Sequence, residues 1–201
     1  MALALRNVLR RLPIAAALFV CSAASAAPSG GGKRYYLELV AITVKGQVKP
    51  EVAKVAAPRV EAEVKKELAE HPELVEKLDG APDPKTGEEA FRAFLAKARI
   101  AAAYRVRVEI TEATETRTED NGQVVLGIHL ALRILGEKIP DGTLGLSGEA
   151  KASIKQELGA KVRDSDRVEA WDSVSEVVVK QALTTALEQL DKPKGKGAKK
   201  H

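Results

Sequence analysis

The chain has 201 residues, 45% of them hydrophobic and 30% charged, with a formal net charge of +4. Three of its 32 basic residues lie in the first 26 positions and five lie in residues 192–201, which leaves 24 basic and 28 acidic residues between them. This mildly acidic body excludes a nucleic-acid-binding domain that contacts phosphates through a basic face.

The first 26 residues have the pattern of an export signal. Three arginines precede an apolar run over residues 14–20, and small residues follow it up to Ala26. The run is far shorter than the ~20 apolar residues of a membrane-spanning helix. We therefore expect cleavage after Ala26 and a mature protein in the periplasm or outside the cell, with no transmembrane segment.

Cys21 is the only cysteine and lies inside this signal. A lipid anchor on Cys21 is the alternative, but Val20 stands where lipid-modifying enzymes require a small residue. We expect no lipid anchor, and a mature chain without a disulfide or a thiolate metal site.

The sequence predicts four segments: a signal (1–26), a flexible spacer (27–34), one α/β domain (35–191) and a Lys-rich tail (192–201). The tail has no apolar residue able to pack, so we expect it to be disordered. It either serves solubility alone or makes a weak contact with a polyanion of the cell envelope.

In chain order, residues 36–44 form a strand that is apolar on both faces and suits burial on both sides. Apolar residues at three- and four-residue spacing predict a helix over 50–70, with a kink or a fresh start at Pro58. A short continuation of this helix over 73–78 follows.

A second helix over 87–98 is expected to begin with a capping box formed by Thr86 and Glu89. Three strands near 104–110, 124–134 and 144–154 and a last helix over 166–190 complete the domain. This βααβββα order predicts an α+β fold whose sheet is mostly antiparallel and packed by helices.

The hairpin around Gly122 can be closed in two ways. A two-residue Asn-Gly turn would put the apolar faces of its strands on opposite sides of the sheet. A three-residue loop pairs Ile110 with Leu132 and Val108 with Ile134, so we favour that loop.

In this register an apolar row, Val124, Leu126 and Ile128, lies opposite threonines and forms a possible interaction surface for a partner or a second copy. Two alternatives remain. Another part of the chain covers the row, or a bulge near residues 111–113 changes the face on which it lies.

No pattern typical of catalysis is present. The three histidines lack metal-ligand spacing, so His71, His129 and His201 are interpreted as ordinary surface residues. Residues 145–148 lack the second glycine of a nucleophile elbow. We expect no catalytic, cofactor-binding or metal site, and we interpret Trp171 as a core residue.

Three stretches carry a resemblance to known proteins. They are a strand over 36–44 that leads into a long helix, the small-residue start of the strand over 98–108, and a pair of strands ending at Asp141-Gly142 that is followed by a closing Val/Ala-rich helix over 172–190. Together they resemble exported α/β domains that assist envelope machinery. These are the lipoprotein activators of penicillin-binding proteins, the curli secretion lipoprotein and the amino-terminal domain of the Tol-system β-propeller protein. The lipid-attachment motif is missing, and Ala103-Tyr104 stands where that group often has Ala-Asp-Tyr.

The resemblance implies a non-catalytic accessory protein without a cofactor. The leading hypothesis is therefore an exported envelope protein that acts by protein–protein contact, with an envelope protein or a second copy as partner. The alternatives are a hydrolase with a carboxylate-based site, and a polyanion binder that uses the tail.

Overall fold

The computed structural model describes residues 33–120, 122–158 and 162–191. The predicted signal with Cys21, most of the spacer, and the Lys-rich tail lie outside the described residues.

Eight elements make up the described chain. They are β1 (Arg34–Val44), α1 (Pro50–Glu70), β2 (Leu74–Val75), α2 (Glu88–Lys97), β3 (Ile100–Asp120), β4 (Gln123–Ile139), β5 (Leu144–Leu158) and α3 (Asp164–Asp191). One five-stranded sheet has the order β2-β1-β3-β4-β5. β1 runs parallel to β2 and β3, and β3, β4 and β5 are antiparallel. The predicted single α+β domain is confirmed, with a mixed rather than a mostly antiparallel sheet.

The helices follow the apolar spacing closely. α1 continues through Pro58, so of the two expected outcomes, a kink or a fresh start, the fresh start is wrong. Its buried side is formed by Val52, Ala56, Val60 and Val64. The predicted helix over 73–78 is wrong, because Leu74 and Val75 pair with β1 as the two-residue strand β2.

The start of α2 also differs from the prediction. No side chain caps it, so the capping box of Thr86 and Glu89 is wrong. The backbone N–H groups of Thr86 and Gly87 instead donate to the carbonyl oxygen of Asp83, at 3.3 and 3.0 Å. This turn therefore satisfies the backbone N–H groups of the two residues that precede the helix.

The β3–β4 pairing combines both of the hairpin registers considered above. Ile110 pairs with Leu132 as predicted, but Asp120 pairs with Gln123, so the turn has two residues and the three-residue loop is wrong. A bulge at Thr111, between Ile110 and Glu112, shifts the register by one residue and reconciles the two ends. Gln47 Nε2 donates to the Thr111 carbonyl oxygen over 2.7 Å.

The bulge changes which residues of β3 face the helices. Val108 and Ile110 are buried before it, whereas Ala113 is buried after it. Since side chains alternate along a strand, Glu115 lies on the buried face as well. Leu126 therefore pairs with Arg117, and Ile128 pairs with Glu115, in place of the predicted threonines.

Helices α1 and α3 cover this face of the sheet and form the main core with it. Trp171 on α3 is fully buried, which agrees with its interpretation as a core residue. α3 crosses β5 closely at Gly148, where a Cβ atom would lie 2.1 Å from the carbonyl oxygen of Ala182. Only glycine allows this approach.

The second face of the sheet is covered at one end, where Phe91 and Leu95 of α2 pack against Ala103 and Ile139. The expectation that the first strand is buried on both sides is wrong, since Val40 of β1 is 56% exposed. None of the helices in the described part of the chain is long and apolar enough to cross a membrane.

Candidate functional site

Away from the end that α2 covers, the second face of the sheet presents polar side chains of β3, β4 and β5 to solvent. We call this surface the open face. Its members include Arg105, Arg107, Glu109, Glu112, His129, Arg133, Glu137, Glu149, Lys151, Ser153, Lys155 and Glu157. Strand alternation places all of them on the side opposite to α1 and α3.

Charges of both signs pair across the open face. Arg133 Nε lies 2.5 Å from Glu149 Oε1, and Glu109 Oε2 lies 3.3 Å from Lys45 Nζ. Arg107 and Lys151 are exposed and have no ion-pair partner among the described residues. Since exposed pairs contribute at most ~1 kcal/mol, this surface can exchange its own ion pairs for contacts with another molecule.

A shallow groove of about 460 Å³ runs beside the bulge of β3. Its floor includes Ala131, which is 8% exposed, and its walls include Glu112, Arg133 and Lys151. The small side chain of Ala131 opposite the bulge leaves this space free. The groove gives the open face a concave part whose walls carry charges of both signs, since Glu149 lines it as well.

Three side chains on adjacent strands form a hydrogen-bonded chain on the same face. His129 Nδ1 lies 2.8 Å from Ser153 Oγ, and His129 Nε2 lies 3.1 Å from Glu112 Oε2. With the ring proton on Nε2, the imidazole donates a hydrogen bond to Glu112, and its Nδ1 accepts a hydrogen bond from the Ser153 hydroxyl. This order of nucleophile, base and carboxylate is the one that activates a serine.

The surroundings of these three hydrogen-bonded side chains favour solvation over catalysis. The Glu112 side chain is 60% exposed and that of His129 is 28% exposed. Catalytic carboxylates act best where water is excluded, because each electrostatic interaction is stronger there. The interpretation of His129 as an ordinary surface residue missed both partners. The predicted pairing of Ile110 with Leu132, continued without a bulge, puts Ala113 opposite His129, whereas Thr114 occupies that position. A bulge at Thr111, had it been included in the predicted register, would have placed Glu112 beside His129.

A cavity of about 670 Å³ lies at the end of the sheet, between β3, the β4–β5 hairpin and the end of α3. Tyr104 lines it, and burial raises the pKa of its phenol. Lys138 Nζ lies 3.4 Å from Asp141 Oδ2 at its rim. Lys33 and Leu190 also line the cavity, so it lies where the described chain begins and ends.

A second group of polar side chains lies between β3 and the start of α3. Glu115 Oε2 accepts a hydrogen bond of 3.0 Å from Trp171 Nε1 and one of 2.7 Å from Arg167 Nε. Burial alone would raise the pKa of Glu115, but these hydrogen bonds and the charge of Arg167 outweigh it, so the pKa lies below its usual value. The carboxylate is ionised and anchors α3 to the sheet.

The predicted interaction surface does not present the residues assigned to it. Leu126 and Ile128 are 0% and 1% exposed, because the core beneath α3 includes them, while Val124 is half-buried. The alternative that another part of the chain covers this row is what the structure shows. The other alternative, a bulge near residues 111–113, is also present, and it places Glu115 and Arg117 on the same face as Leu126 and Ile128.

The remaining histidines stay apart from these groups. His71 Nδ1 accepts a hydrogen bond of 3.3 Å from the backbone N–H of Glu73, and His201 lies outside the described residues. Within the described ranges, no three His, Cys, Asp or Glu side chains come together as metal ligands.

No protein-family model matches the sequence, and a comparison with curated proteins finds no relative. Among solved structures, a minor lipoprotein from Acinetobacter baumannii is 13% identical, with a TM-score of 0.38, over 77% of this chain and 92% of its own. A hypothetical protein from Chlamydia trachomatis is 14% identical, with a TM-score of 0.41, over 79% of this chain and 96% of its own.

A lipoprotein from Neisseria meningitidis is 14% identical, with a TM-score of 0.33, over 72% of this chain and 97% of its own. The structural neighbours of this chain thus include bacterial lipoproteins. At these TM-scores the likeness assigns the chain to none of their families, and the finer resemblance inferred from the sequence stays a prediction.

Proposed function

We propose that this protein is an exported accessory protein of the cell envelope that acts by contact with a protein partner, without catalysis. The open face of the sheet carries this proposal, because it is broad, polar and uncovered by any described helix. The pattern of an export signal in the first 26 residues supplies the compartment.

The partner that fits the open face presents carboxylates. Arg107 and Lys151 offer cations that no described side chain neutralises, and Arg133 reaches the wall of the groove. An acidic patch on the partner would form ion pairs with these cations, which in the free protein are only hydrated. Complementary charge at a rim chiefly speeds association and selects the partner.

Charge reversal tests this proposal. The tagged protein is expressed with its own leader, cross-linked in intact envelopes and purified, and co-purified proteins are quantified. Arg107→Glu is expected to reduce one reproducible partner by about tenfold or more, since it replaces attraction by repulsion. Lys54→Glu on α1 is the matched control, because Lys54 is also exposed and lacks a described ion pair. Retention of every partner by Arg107→Glu contradicts the proposal.

A serine hydrolase is the second candidate, and the chain of Ser153, His129 and Glu112 favours it. Ser153 Oγ would attack an ester carbonyl while its proton passes to His129 Nδ1. The bond to the alcohol would then break, the alcohol would leave with that proton, and water would release the acid from Ser153. Under this candidate the protein hydrolyses chromogenic esters and Ser153→Ala abolishes the turnover. Under the accessory proposal neither protein hydrolyses them, so one assay separates the two functions.

A further inference from the structure

The strand β5 forms an edge of the sheet that is open to pairing. It pairs with β4 alone, and among the described residues no backbone hydrogen bond joins its outer edge to another segment. From Leu146 to Leu158 its register with β4 has no bulge. A long and regular edge is a template for another strand, because its backbone donors and acceptors are unpaired.

The other edge of the sheet is less suited to pairing. β2 covers Tyr35 and Tyr36 of β1, and a bulge between Leu39 and Ala41 interrupts the rest of that strand. Bulges, short edge strands and charged side chains are devices that block edge-to-edge contact. β5 is long and has no bulge along its regular part, and its charged side chains restrict the registers in which it can pair.

We propose that β5 pairs with β5 of a second copy of this chain, antiparallel, around a two-fold axis at Ala152. In this register Glu149 faces Lys155 of the second copy, and Leu146 faces Leu158 of the second copy. Lys151 faces Ser153. Opposite charges directly across an antiparallel pair stabilise it, as do apolar pairs on the core side.

The charges of β5 select this register over the two adjacent registers that keep the same faces together. An axis at Ser153 would place Lys151 opposite Lys155 and Glu149 opposite Glu157, and both pairs repel. An axis at Lys151 would place that residue opposite itself. Registers between these would turn the core side of one copy toward the open face of the other.

Helix α3 adds surface along the same edge. A groove of about 380 Å³ lies between β5 and α3, with Glu149 and Ala150 on one side and Gln181 and Thr184 on the other. Val177, one helical turn before Gln181, is 44% exposed. The two-fold axis brings two α3 helices onto one side of a continuous sheet, which adds to the strand contact toward the ~1,200 Å² of a stable interface.

The same pairing has a consequence for the open face. Because Lys151 of the second copy faces Ser153, it lies beside the chain of His129 and Glu112. The open faces of both copies then form one continuous surface, and partner binding to it is a separate property that can fail without affecting the dimer.

Engineered disulfides test the position of the axis. In a Cys21→Ala background, the introduced cysteine is the only one in the chain. Ala152→Cys is expected to form an intermolecular disulfide on mild oxidation, because opposed Cα atoms in such a pair lie about 4.5–5.5 Å apart and a disulfide spans that distance. Ala150→Cys is the matched control, since its two copies lie about 14 Å apart in this register.

A charge swap provides the second test. The full chain is expressed with its leader, and its mass is measured by analytical ultracentrifugation at tens of micromolar. Wild type is expected at twice the protomer mass. Glu149→Lys and Lys155→Glu each create a like-charge pair and should weaken the dimer about tenfold or more, and the double variant should restore it.

The outcomes decide the proposal. A monomeric wild type overturns it, as does equal cross-linking of Ala150→Cys and Ala152→Cys. A double variant as weak as the single variants, with unchanged circular dichroism, overturns the register even if a dimer is present.

Discussion

Glu115 of β3 and Trp171 of α3 are joined by a hydrogen bond of 3.0 Å between the carboxylate and the indole N–H. Trp171 is fully buried, and the Glu115 side chain is 10% exposed. Glu115 faces the helices only because the bulge at Thr111 shifts the strand by one residue. This contact therefore depends on the irregularity in β3, and it ties the outer half of the β3–β4 hairpin to the last helix.

Glu115→Ala is expected to lower the free energy of unfolding by about 1–3 kcal/mol, since it leaves the Trp171 N–H and Arg167 without their acceptor. Urea unfolding followed by tryptophan fluorescence measures the change. Glu119→Ala, an exposed position on the same strand, is the control and should change stability by less than about 0.5 kcal/mol. Equal effects of the two variants would contradict the role of Glu115.

The contribution of Glu115 depends on pH. Its pKa in the folded protein lies below the usual value of 4.5, so its stabilising effect is complete above that pH and is lost as the pH falls through the folded pKa. The stability difference between wild type and Glu115→Gln should therefore be constant near neutral pH and shrink below pH 4.5. A difference that grows in acid would reverse the sign and refute the assignment.

Gly148→Ala is expected to destabilise the protein by about 1–3 kcal/mol, because the added Cβ would lie 2.1 Å from the Ala182 carbonyl oxygen and 2.8 Å from Ala186 Cβ. Thermal unfolding checks this. Gly46→Ala is the matched control, since a Cβ at Gly46 meets no atom within 4 Å. Equal unfolding temperatures for the two variants would show that α3 does not pack on β5 as described.

Deletion of Thr111 should leave the fold intact. Ile110 and Glu112 already pair with the adjacent residues Leu132 and Ala131, so removal of the bulged residue restores a regular ladder without turning Glu115 outward. The expected cost is about 1 kcal/mol, from the lost hydrogen bond of Gln47 to the Thr111 carbonyl oxygen. Loss of cooperative unfolding in this variant would show that the register is different.

Much of this fold follows from the sequence. Apolar spacing placed α1 and α3 within two residues of their observed ends, and the need to bury one face placed Ile110 opposite Leu132. Periodicity could not find β2, because two residues are too short to show a period. It also could not choose between a longer loop and a bulge, since both satisfy the same pairs near Ile110.

The open face was less accessible to sequence reasoning than the core. The chain of Ser153, His129 and Glu112 requires the register of three strands at once, and one misplaced residue in the hairpin put the threonine row opposite Leu126. The burial of Leu126 and Ile128 required the position of α3, which depends on Gly148 and Glu115. No local pattern encodes either contact.

Site-specific photo-cross-linking tests the central claim most directly, which is that the protein works through contacts of its open face. A benzophenone amino acid replaces Arg107 on the open face or Lys54 on α1, and cells that export the protein are irradiated. The Arg107 position is expected to yield a discrete adduct with another protein, and the Lys54 position none. Adducts of equal strength at both positions, or none at Arg107, would contradict the account.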